Sequence, residues 1–345
     1  MCWREDSSTS PGTRCFLKPP PVFCVARRVS RNRLGLARWY VDRRNPLTAR
    51  VAVNRIWQVF FGRGIVGTTE DFGIQGELPT HPELLDWLAT DFMDQGWDVK
   101  RLCRMLVLSS AYRQSSTPLD PQVLKDDPDN RLLARGPRHR LAAEMIRDNA
   151  LAISGLLAPT MGGPPVRPYL PDNLYEDSGV QMTYKQSHGE ALWRRSLYTF
   201  WKRTLPPPTM TIFDAPSREF CLTRRETTST PMQSLAMMNA PEFVEAARAL
   251  AERLIKAHPQ DRTAQVTEAF RLVTSRNPRP GETAVLLKLL EEEQLHYSQA
   301  PQDAEALRQK NGEHPANLDL PGAEVAATTM VIRVLLGSEE ALLKE

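Results

Sequence analysis

The chain has 345 residues, of which 41% are hydrophobic and 25% charged, a balance typical of a globular protein with a sizeable core. Its formal net charge of +3 is too small to indicate nucleic-acid binding, which usually requires a more basic domain. No apolar run approaches the roughly 18 residues that a membrane-spanning helix needs. The cysteines form no CxxC pair, so the sequence has no local motif for a zinc ribbon or for haem attachment.

The first 30 residues differ in character from the rest of the chain. They show neither helical nor strand periodicity and mix Cys, Pro and Arg freely. They do not form a secretory signal, because Glu5 and Asp6 interrupt the basic start and the apolar patch at 22–26 is too short. The sequence therefore predicts that residues 1–30 are a disordered head or come from a misassigned start.

Helical patterns begin at Arg31. Asn45-Pro46 predicts a capped helix start, Thr80 and Glu83 have the spacing of a capping box, and Asp98 is placed to cap a further helix. The spacing of apolar residues predicts helices in this N-terminal lobe near 34–39, 46–61, 82–95, 99–107 and 138–156.

The middle of the chain is irregular and the C-terminal part is helical again. Residues 157–190 form a long loop rich in Gly and Pro, and the alternation at 196–201 predicts a short strand. Residues 300–320 are polar and are predicted to form a loop. Helices are predicted near 231–239, 242–257, 261–275, 281–296 and 322–336.

These patterns together predict a mostly α fold. A helical N-terminal lobe at 31–156 and a helical C-terminal lobe at 228–345 flank a loop-rich centre at 157–227, which holds one or two short strands.

Several long segments resemble one bacterial family, domain of unknown function 1553, the planctomycete-type C-terminal domain of cytochrome c-like multidomain proteins. The resemblance extends from about Arg31 to the C-terminus. The segments are NPLTARVAVNRIWQVFFGRGIV at 45–66, DFGIQGELPTHPELLDWLA at 71–89, LSSAYRQSS at 108–116, DPDNRLLAR at 127–135, GGPPVRP at 162–168, RRSLYTFWKRTLPPPTMTIFDAP at 194–216 and TSTPMQSLAMMNAPEFVEAARALAERL at 228–254.

The resemblance implies a place outside the cytoplasm, in the periplasm or at the cell surface, although this chain has no signal peptide. It implies haem in an upstream domain of the relatives and no cofactor in this chain, since CxxCH is absent here. A chain that matches only the last domain of such proteins is expected to be a fragment. The family supplies no catalytic residues that could be assigned to this sequence.

Two histidines are candidates for acid–base chemistry. His81 stands at a predicted helix start, with Asp71 in the preceding loop as a possible carboxylate partner. His188 lies in the long central loop, and Asp214 is the other candidate carboxylate. No second His or Cys stands at ligand spacing from His188, so the sequence predicts no metal site. The alternative interpretation of each histidine is a structural or surface role.

Basic and aromatic residues alternate over residues 193–225. Seven basic and two acidic residues, Asp214 and Glu219, leave a local excess of +5 in this segment. The planar fork of arginine suits carboxylate, sulfate or phosphate groups, and aromatic rings can support a guanidinium or a sugar. The candidate anion-binding residues are Arg194, Arg195, Lys202, Arg203, Arg218, Arg224 and Arg225. The candidate aromatic platform is Trp193, Tyr198 and Trp201, with Phe200 beside them.

Three functions are compatible with these patterns. The first is an extracytoplasmic binding or accessory module for an anionic partner, either an acidic or sulfated polysaccharide or the upstream domains of a full-length relative. The second is a hydrolase acting on such a polysaccharide. The third is a helical scaffold that docks a cytochrome c-like domain. The first requires that neighbouring carboxylates leave the central arginines unneutralised, and the sequence alone does not decide this.

Overall fold

The computed structural model describes residues 32–118, 120–171, 174 and 183–344. The predicted head over residues 1–30 lies outside the described residues. Within them the fold is mostly α-helical, with one two-stranded sheet, as the sequence predicts.

The chain divides into two compact units. The N-terminal unit ends at His139, and the C-terminal unit runs from Arg140 to Lys344. The helix that the sequence pattern assigns to the N-terminal lobe at 138–156 spans Ala143–Ser154 and therefore lies in the C-terminal unit.

The N-terminal unit is built around three packed helices. Asp98 accepts a hydrogen bond from the backbone N–H of Arg101, so this predicted cap is confirmed. The predicted start at Asn45-Pro46 is wrong, because the helix begins at Thr48 and has no side-chain cap; Asn45 accepts from the N–H groups of Leu47 and Thr48 in the turn before it. Because apolar residues recur at helical spacing, the helices share a core that includes Val53, Trp57, Leu85, Phe92, Leu102 and Leu106. The helices of this unit are α1 (Arg33–Tyr40), α2 (Thr48–Phe61), α3 (Pro82–Asp94), α4 (Val99–Leu108) and α5 (Gln122–Asp126).

The predicted capping box at the start of α3 is wrong. His81 is the residue that precedes the helix, and no side chain caps it. The Thr80 hydroxyl instead donates to the backbone oxygen of Ile65, because residues 64–66 lie against the start of the helix. The Thr80 hydroxyl therefore makes a long-range contact with Ile65 in place of the predicted local contact with the first turn of the helix.

The C-terminal unit has one largely buried helix at its centre. Nearly every residue of α9 from Glu242 to Ile255 is buried, because α6, α8, α10 and α13 pack around it. The helices of this unit are α6 (Ala143–Ser154), α7 (Pro208–Ile212), α8 (Pro231–Asn239), α9 (Pro241–Ala257), α10 (Arg262–Thr274), α11 (Pro280–Gln299), α12 (Pro301–Gln309) and α13 (Gly322–Leu336).

Two local predictions in this unit are wrong. Residues 196–201 do not form a strand: Ser196–Tyr198 is a 3₁₀ turn, and Thr199 makes a single parallel bridge to Val166. The stretch 300–320 is not all loop, because α12 begins at Pro301, where the proline ring suits a first helical position. The one sheet among the described residues pairs β1 (His139–Arg140) with β2 (Leu343–Lys344).

Candidate functional site

Four ionisable side chains of α9 are buried from solvent. Glu242 is 3% exposed, Glu245 0%, Arg248 1% and Glu252 5%. Buried charges are costly unless they are paired or hydrogen-bonded. Arg248 donates to Glu252 at 2.9 Å, one helical turn away. Burial raises the pKa of the Glu242 carboxyl, although the nearby Arg147 guanidinium opposes this.

The Glu245 carboxylate sits in a cage of donors from four residues. Its Oε1 accepts from the backbone N–H groups of Glu313 at 2.7 Å and His314 at 2.6 Å. Its Oε2 accepts from the indole N–H of Trp193 at 3.1 Å, and the Tyr169 hydroxyl lies 3.2 Å from both oxygens. One buried anion therefore holds together the central segment and the loop that follows α12. Trp193, a predicted aromatic platform residue, is used here as a donor.

The same loop places a carboxylate beside His188. Nδ1 of His188 lies 2.7 Å from Oε1 of Glu313, while the His188 side chain is 76% exposed. Glu313 also accepts from the backbone N–H of Gly189 at 3.0 Å and from the side-chain amide of Gln186 at 2.9 Å. The result is an exposed imidazole oriented by an anchored carboxylate.

Electrostatics favour the ionised form of Glu313. Partial burial would raise the pKa of its carboxyl, but the Gly189 N–H group and His188 outweigh burial, so the pKa is lowered. At the adjacent His314, burial is the stronger effect. Burial, together with the nearby Arg248 cation, lowers the pKa of the His314 imidazole. Its ring lies 5.7 Å from that of Trp193. His314 therefore favours the neutral form, and Glu313 is set up as the charged partner of His188.

The other candidate carboxylate of this unit makes different contacts. Asp214 accepts from the backbone N–H of Thr228 at 2.7 Å, from the Thr228 hydroxyl and from the Gln233 amide. Its backbone has φ of 61°, a left-handed conformation uncommon for residues other than glycine. Asp214 thus fastens the segment before α8 to the end of α7.

The central segment is anchored to α6 by an inward-pointing arginine. Arg147 is 4% exposed and donates to the backbone oxygens of Leu192 and Arg194 and to the Ser196 hydroxyl. Burial lowers the pKa of its guanidinium. Asp148 accepts from the backbone N–H of Ser196 at 2.7 Å. Two neighbouring α6 residues therefore fix the backbone that carries the basic–aromatic segment.

The first basic residue of that segment is used internally. Arg194 is 7% exposed and donates to the backbone oxygens of Pro164, at 3.0 Å, and Gly162. Its guanidinium carbon lies 4.1 Å from the centroid of the Tyr198 ring, and the Tyr198 hydroxyl accepts from the Gly162 N–H. Arg194 and Tyr198 therefore hold the 162–164 loop in place.

Two other basic residues, Arg225 and Arg218, interact with Glu144 and Trp201. Arg225 donates through both terminal nitrogens to Glu144, at 2.5 and 3.1 Å. Burial would raise the pKa of the Glu144 carboxyl, but Arg225, helped by Arg218, lowers it. The guanidinium of Arg218 lies 4.4 Å from the Trp201 ring, and the indole N–H of Trp201 donates to Ser217 at 3.3 Å. The backbone of Lys202 forms a separate bridge with Leu205.

Four arginines of the segment are exposed and have no carboxylate partner among the described residues. Within the part of the chain that the structure describes, Arg195, Arg203, Arg218 and Arg224 form no ion pair with a carboxylate. The sequence does not show which of the seven basic residues are paired and which are exposed without a carboxylate partner, because all seven have the same character in sequence.

The histidine of the N-terminal unit has a different neighbour from the one predicted. Nδ1 of His81 lies 3.0 Å from the Thr80 hydroxyl. Asp71 accepts from the backbone N–H of Gly73 at 2.6 Å, closing a tight turn. His81 and Asp71 are thus each bonded locally.

The described residues show neither a metal-binding cluster nor a membrane-spanning helix. Among the described residues, no group of three or more His, Cys, Asp or Glu side chains is arranged to hold a metal ion. None of the helices described is both long enough and apolar enough to cross a membrane.

Comparison with known proteins gives a family match. The model of PSD1, described as a protein of unknown function (DUF1553), matches residues 32–290, well over half of the chain. The match begins where the sequence resemblance does and ends within α11. No curated protein matches the chain significantly. No solved structure does so either.

Proposed function

We propose that this chain, which belongs to the PSD1 family of proteins of unknown function (DUF1553), is an extracytoplasmic binding or accessory module for an anionic partner. The partner class that suits it is an acidic or sulfated polysaccharide. The place outside the cytoplasm rests on the family resemblance. The ligand class rests on the cationic surface around Trp201, which we define as Trp201, Arg203, Arg218 and Arg224.

The observation that carries the proposal is the stacking of Arg218 on Trp201. A guanidinium held over an aromatic ring is oriented by the ring face while its N–H donors point outward. Arg218 is exposed and lies 4.4 Å from the ring centroid. An exposed guanidinium of this kind can bind a sulfate or carboxylate through two parallel N–H donors, which supports the proposal.

Two further arginines extend this surface. Arg203 lies two residues after Trp201, and Arg224 precedes Arg225, which is paired with Glu144. Glu144 in turn lies close enough to Arg218 for that guanidinium to lower its pKa. Exposed cations that are not paired with carboxylates attract a polyanion, and the attraction weakens as salt rises.

Apolar side chains lie along the same segment. Phe220 is 66% exposed and Leu222 47%, between Arg218 and Arg224. Alternating cationic and apolar groups suit a sugar polymer, which carries anionic substituents on rings with apolar faces. A site that bound only a small inorganic anion would gain nothing from Phe220 and Leu222, whereas a sugar polymer can pack against them.

Affinity chromatography on immobilised heparin tests the proposal. We expect the double charge reversal Arg218→Glu and Arg224→Glu to elute at clearly lower salt than the wild type. The matched control is Arg55→Glu with Arg104→Glu, which reverses two exposed arginines of the N-terminal unit. If the target and control variants elute at the same salt, the cationic surface is not the binding site.

A second candidate function is acid–base catalysis by His188 on the same class of polymer. The 2.7 Å contact with Glu313 favours it, because a carboxylate at Nδ1 fixes the imidazole and leaves Nε2 exposed for proton transfer. The test is reducing-end release from a panel of sulfated and uronate polysaccharides. We expect His188→Gln to abolish release. The control is His258→Gln, which alters a histidine paired with Glu268. No release by the wild type, or equal release by both variants, contradicts this candidate.

A further inference from the structure

Another stacked arginine lies outside the basic–aromatic segment at 193–225. The guanidinium carbon of Arg167 is 4.7 Å from the centroid of the Phe200 ring. Arg167 belongs to the long central loop and is the only basic residue between positions 157 and 184 of the sequence. Its place in the sequence therefore does not mark it as a member of a cationic group, and only the fold brings it to an aromatic ring.

Backbone pairing carries Arg167 to Phe200. The Val166 N–H donates to the backbone oxygen of Tyr198 at 2.8 Å, and the Phe200 N–H donates to the backbone oxygen of Val166 at 2.7 Å. These bonds form a parallel bridge between Val166 and Thr199, both of which are buried. Successive side chains of an extended chain point to opposite faces, so the next residue of each stretch, Arg167 and Phe200, is directed outward. Both are partly exposed.

The Arg167 guanidinium has no acceptor in the described part of the protein. It makes neither a hydrogen bond nor an ion pair there, and its Nε is shielded from water without a hydrogen-bond partner. Arg194 also stacks on a ring, but its terminal nitrogens donate to Gly162 and Pro164. Arg167 thus differs from Arg194, because the protein leaves its planar set of donors for an anion from solution.

The stretch that ends in His188 lies against the backbone of Arg167. The Ser187 N–H donates to the backbone oxygen of Arg167 at 2.9 Å, and the Arg167 N–H donates to the Ser187 hydroxyl at 2.9 Å. The next residue is His188, whose side chain is 76% exposed and whose Nδ1 lies 2.7 Å from Glu313. An unused guanidinium and an exposed imidazole therefore occupy neighbouring backbone positions on this surface.

The loop that carries Arg167 is fixed on both sides of it. Before it, Val166 forms the bridge to Thr199. After it, the Tyr184 hydroxyl donates to the backbone oxygen of Pro168 at 2.7 Å, and the Tyr169 hydroxyl lies 3.2 Å from both carboxylate oxygens of Glu245. A loop held in this way loses little conformational freedom when a ligand binds, which favours affinity.

We propose that Arg167 and His188 form a subsite for one anionic sugar residue of the polysaccharide partner. Arg167 binds the sulfate or carboxylate of that sugar while the Phe200 ring supports the guanidinium, and His188 contacts the same sugar through Nε2. The ligand class rests on the function proposed above. The subsite is a separate contact from the cationic surface around Trp201 and makes Arg167 a specificity-determining residue for anionic sugars.

NMR titration of the full chain with a sulfated heparin disaccharide tests the subsite. With ¹³C-labelled histidine at fixed pH and salt, the His188 resonance, assigned through His188→Gln, is expected to shift and saturate. Arg167→Gln is expected to weaken binding about tenfold, as for loss of one hydrogen bond to a charged group. Arg167→Lys keeps the charge without the planar fork and is expected to bind with intermediate affinity. The matched control is Arg262→Gln, which removes an exposed arginine of the same unit and should leave affinity unchanged.

Lactose and inorganic sulfate serve as comparison probes. The subsite requires the sulfated disaccharide to bind more tightly than either, because the anionic group and the sugar are both recognised. Equal binding of sulfate would show an adventitious ion only. That result, the lack of a saturable His188 shift, or equal loss of affinity in the Arg167→Gln and Arg262→Gln variants would each overturn the inference.

Failure of the subsite and failure of the proposed function give different results. The Arg218→Glu, Arg224→Glu variant is expected to elute early from heparin and still to shift the His188 resonance normally with the disaccharide. A wild-type protein that is retained on heparin through the cationic surface but shows no His188 shift would overturn the subsite alone. A wild-type protein that is not retained on heparin would contradict the proposed function itself.

Discussion

The guanidinium carbon of Arg218 lies 4.4 Å from the centroid of the Trp201 ring. A similar stack, that of Arg194 on Tyr198 at 4.1 Å, has a different consequence. The Arg194 donors bind the backbone oxygens of Gly162 and Pro164, whereas Arg218 remains exposed. The first stack stabilises a loop, and the second presents a cation to solvent.

Replacing Trp201 should weaken anion binding through the orientation of Arg218. An exposed cation–π contact contributes about 0.5–1 kcal/mol, so Trp201→Leu is expected to raise the dissociation constant for a heparin oligosaccharide about two- to fivefold. Trp201→Phe keeps a ring and is the matched control, expected to lie closer to the wild type. Isothermal titration calorimetry measures both. Equal affinities for the Leu and Phe variants would contradict a role for the ring.

Glu245 is expected to tolerate no isosteric replacement. Both of its oxygens accept hydrogen bonds, so the amide of Glu245→Gln must direct an NH₂ group at a donor in either orientation. We expect the free energy of unfolding to fall by about 3 kcal/mol, as measured by urea denaturation. The exposed Glu190→Gln, in the 3₁₀ turn Gly189–Trp193, is the control and should change stability little. A Glu245→Gln protein as stable as that control would contradict the cage.

A substitution at Gly312 also tests the hydrogen-bond cage around Glu245, because the Gly312 backbone packs directly against that side chain. A Cβ at this position would lie 2.4 Å from Cδ of Glu245, and φ is +84°. Gly312→Ala is therefore expected to lower the melting temperature by several degrees, for a loss of about 2 kcal/mol or more. Gly281→Ala is the control. Gly281 lies in the first turn of α11, and a Cβ added there would have no atom within 4 Å. That variant should be neutral or slightly stabilising.

Acid should release the contact between His188 and Glu313. The pKa of Glu313 is lowered in the folded state, so its contribution is fully present above its unfolded pKa of about 4.3 and is lost as pH falls through the lower folded value. The stability difference between wild type and Glu313→Gln should accordingly be constant near neutral pH and shrink below about pH 4.3. Denaturation curves at several pH values measure it. A difference that grows in acid would have the wrong sign.

The sequence predicts the helices well where their apolar residues repeat regularly. α8 agrees with its predicted bounds at 231–239 and α13 with 322–336. The prediction of a short strand at 196–201 is wrong, because the chain there makes only isolated bridges, such as that of Thr199 with Val166. α12 was missed because its residues are mostly polar, so no apolar stripe marks it.

The site was less accessible to sequence reasoning. The sequence indicates His188 as a candidate but gives no sign of Glu313, since 125 residues separate the two and Glu313 lies in a polar stretch. Glu245, Arg248 and Glu252 look like an ordinary solvent-facing stripe at helical spacing, and only the tertiary packing shows that they are buried.

The salt dependence of heparin-oligosaccharide binding tests the central claim most directly. The variant Arg203→Gln, Arg218→Gln, Arg224→Gln is compared with Arg38→Gln, Arg55→Gln, Arg104→Gln, which removes the same charge from exposed sites of the N-terminal unit. We predict that the first variant binds weakly with little response to salt, while the second keeps nearly the affinity and salt response of the wild type. If the two variants lose affinity equally, binding reflects net charge alone and the cationic surface is not a site.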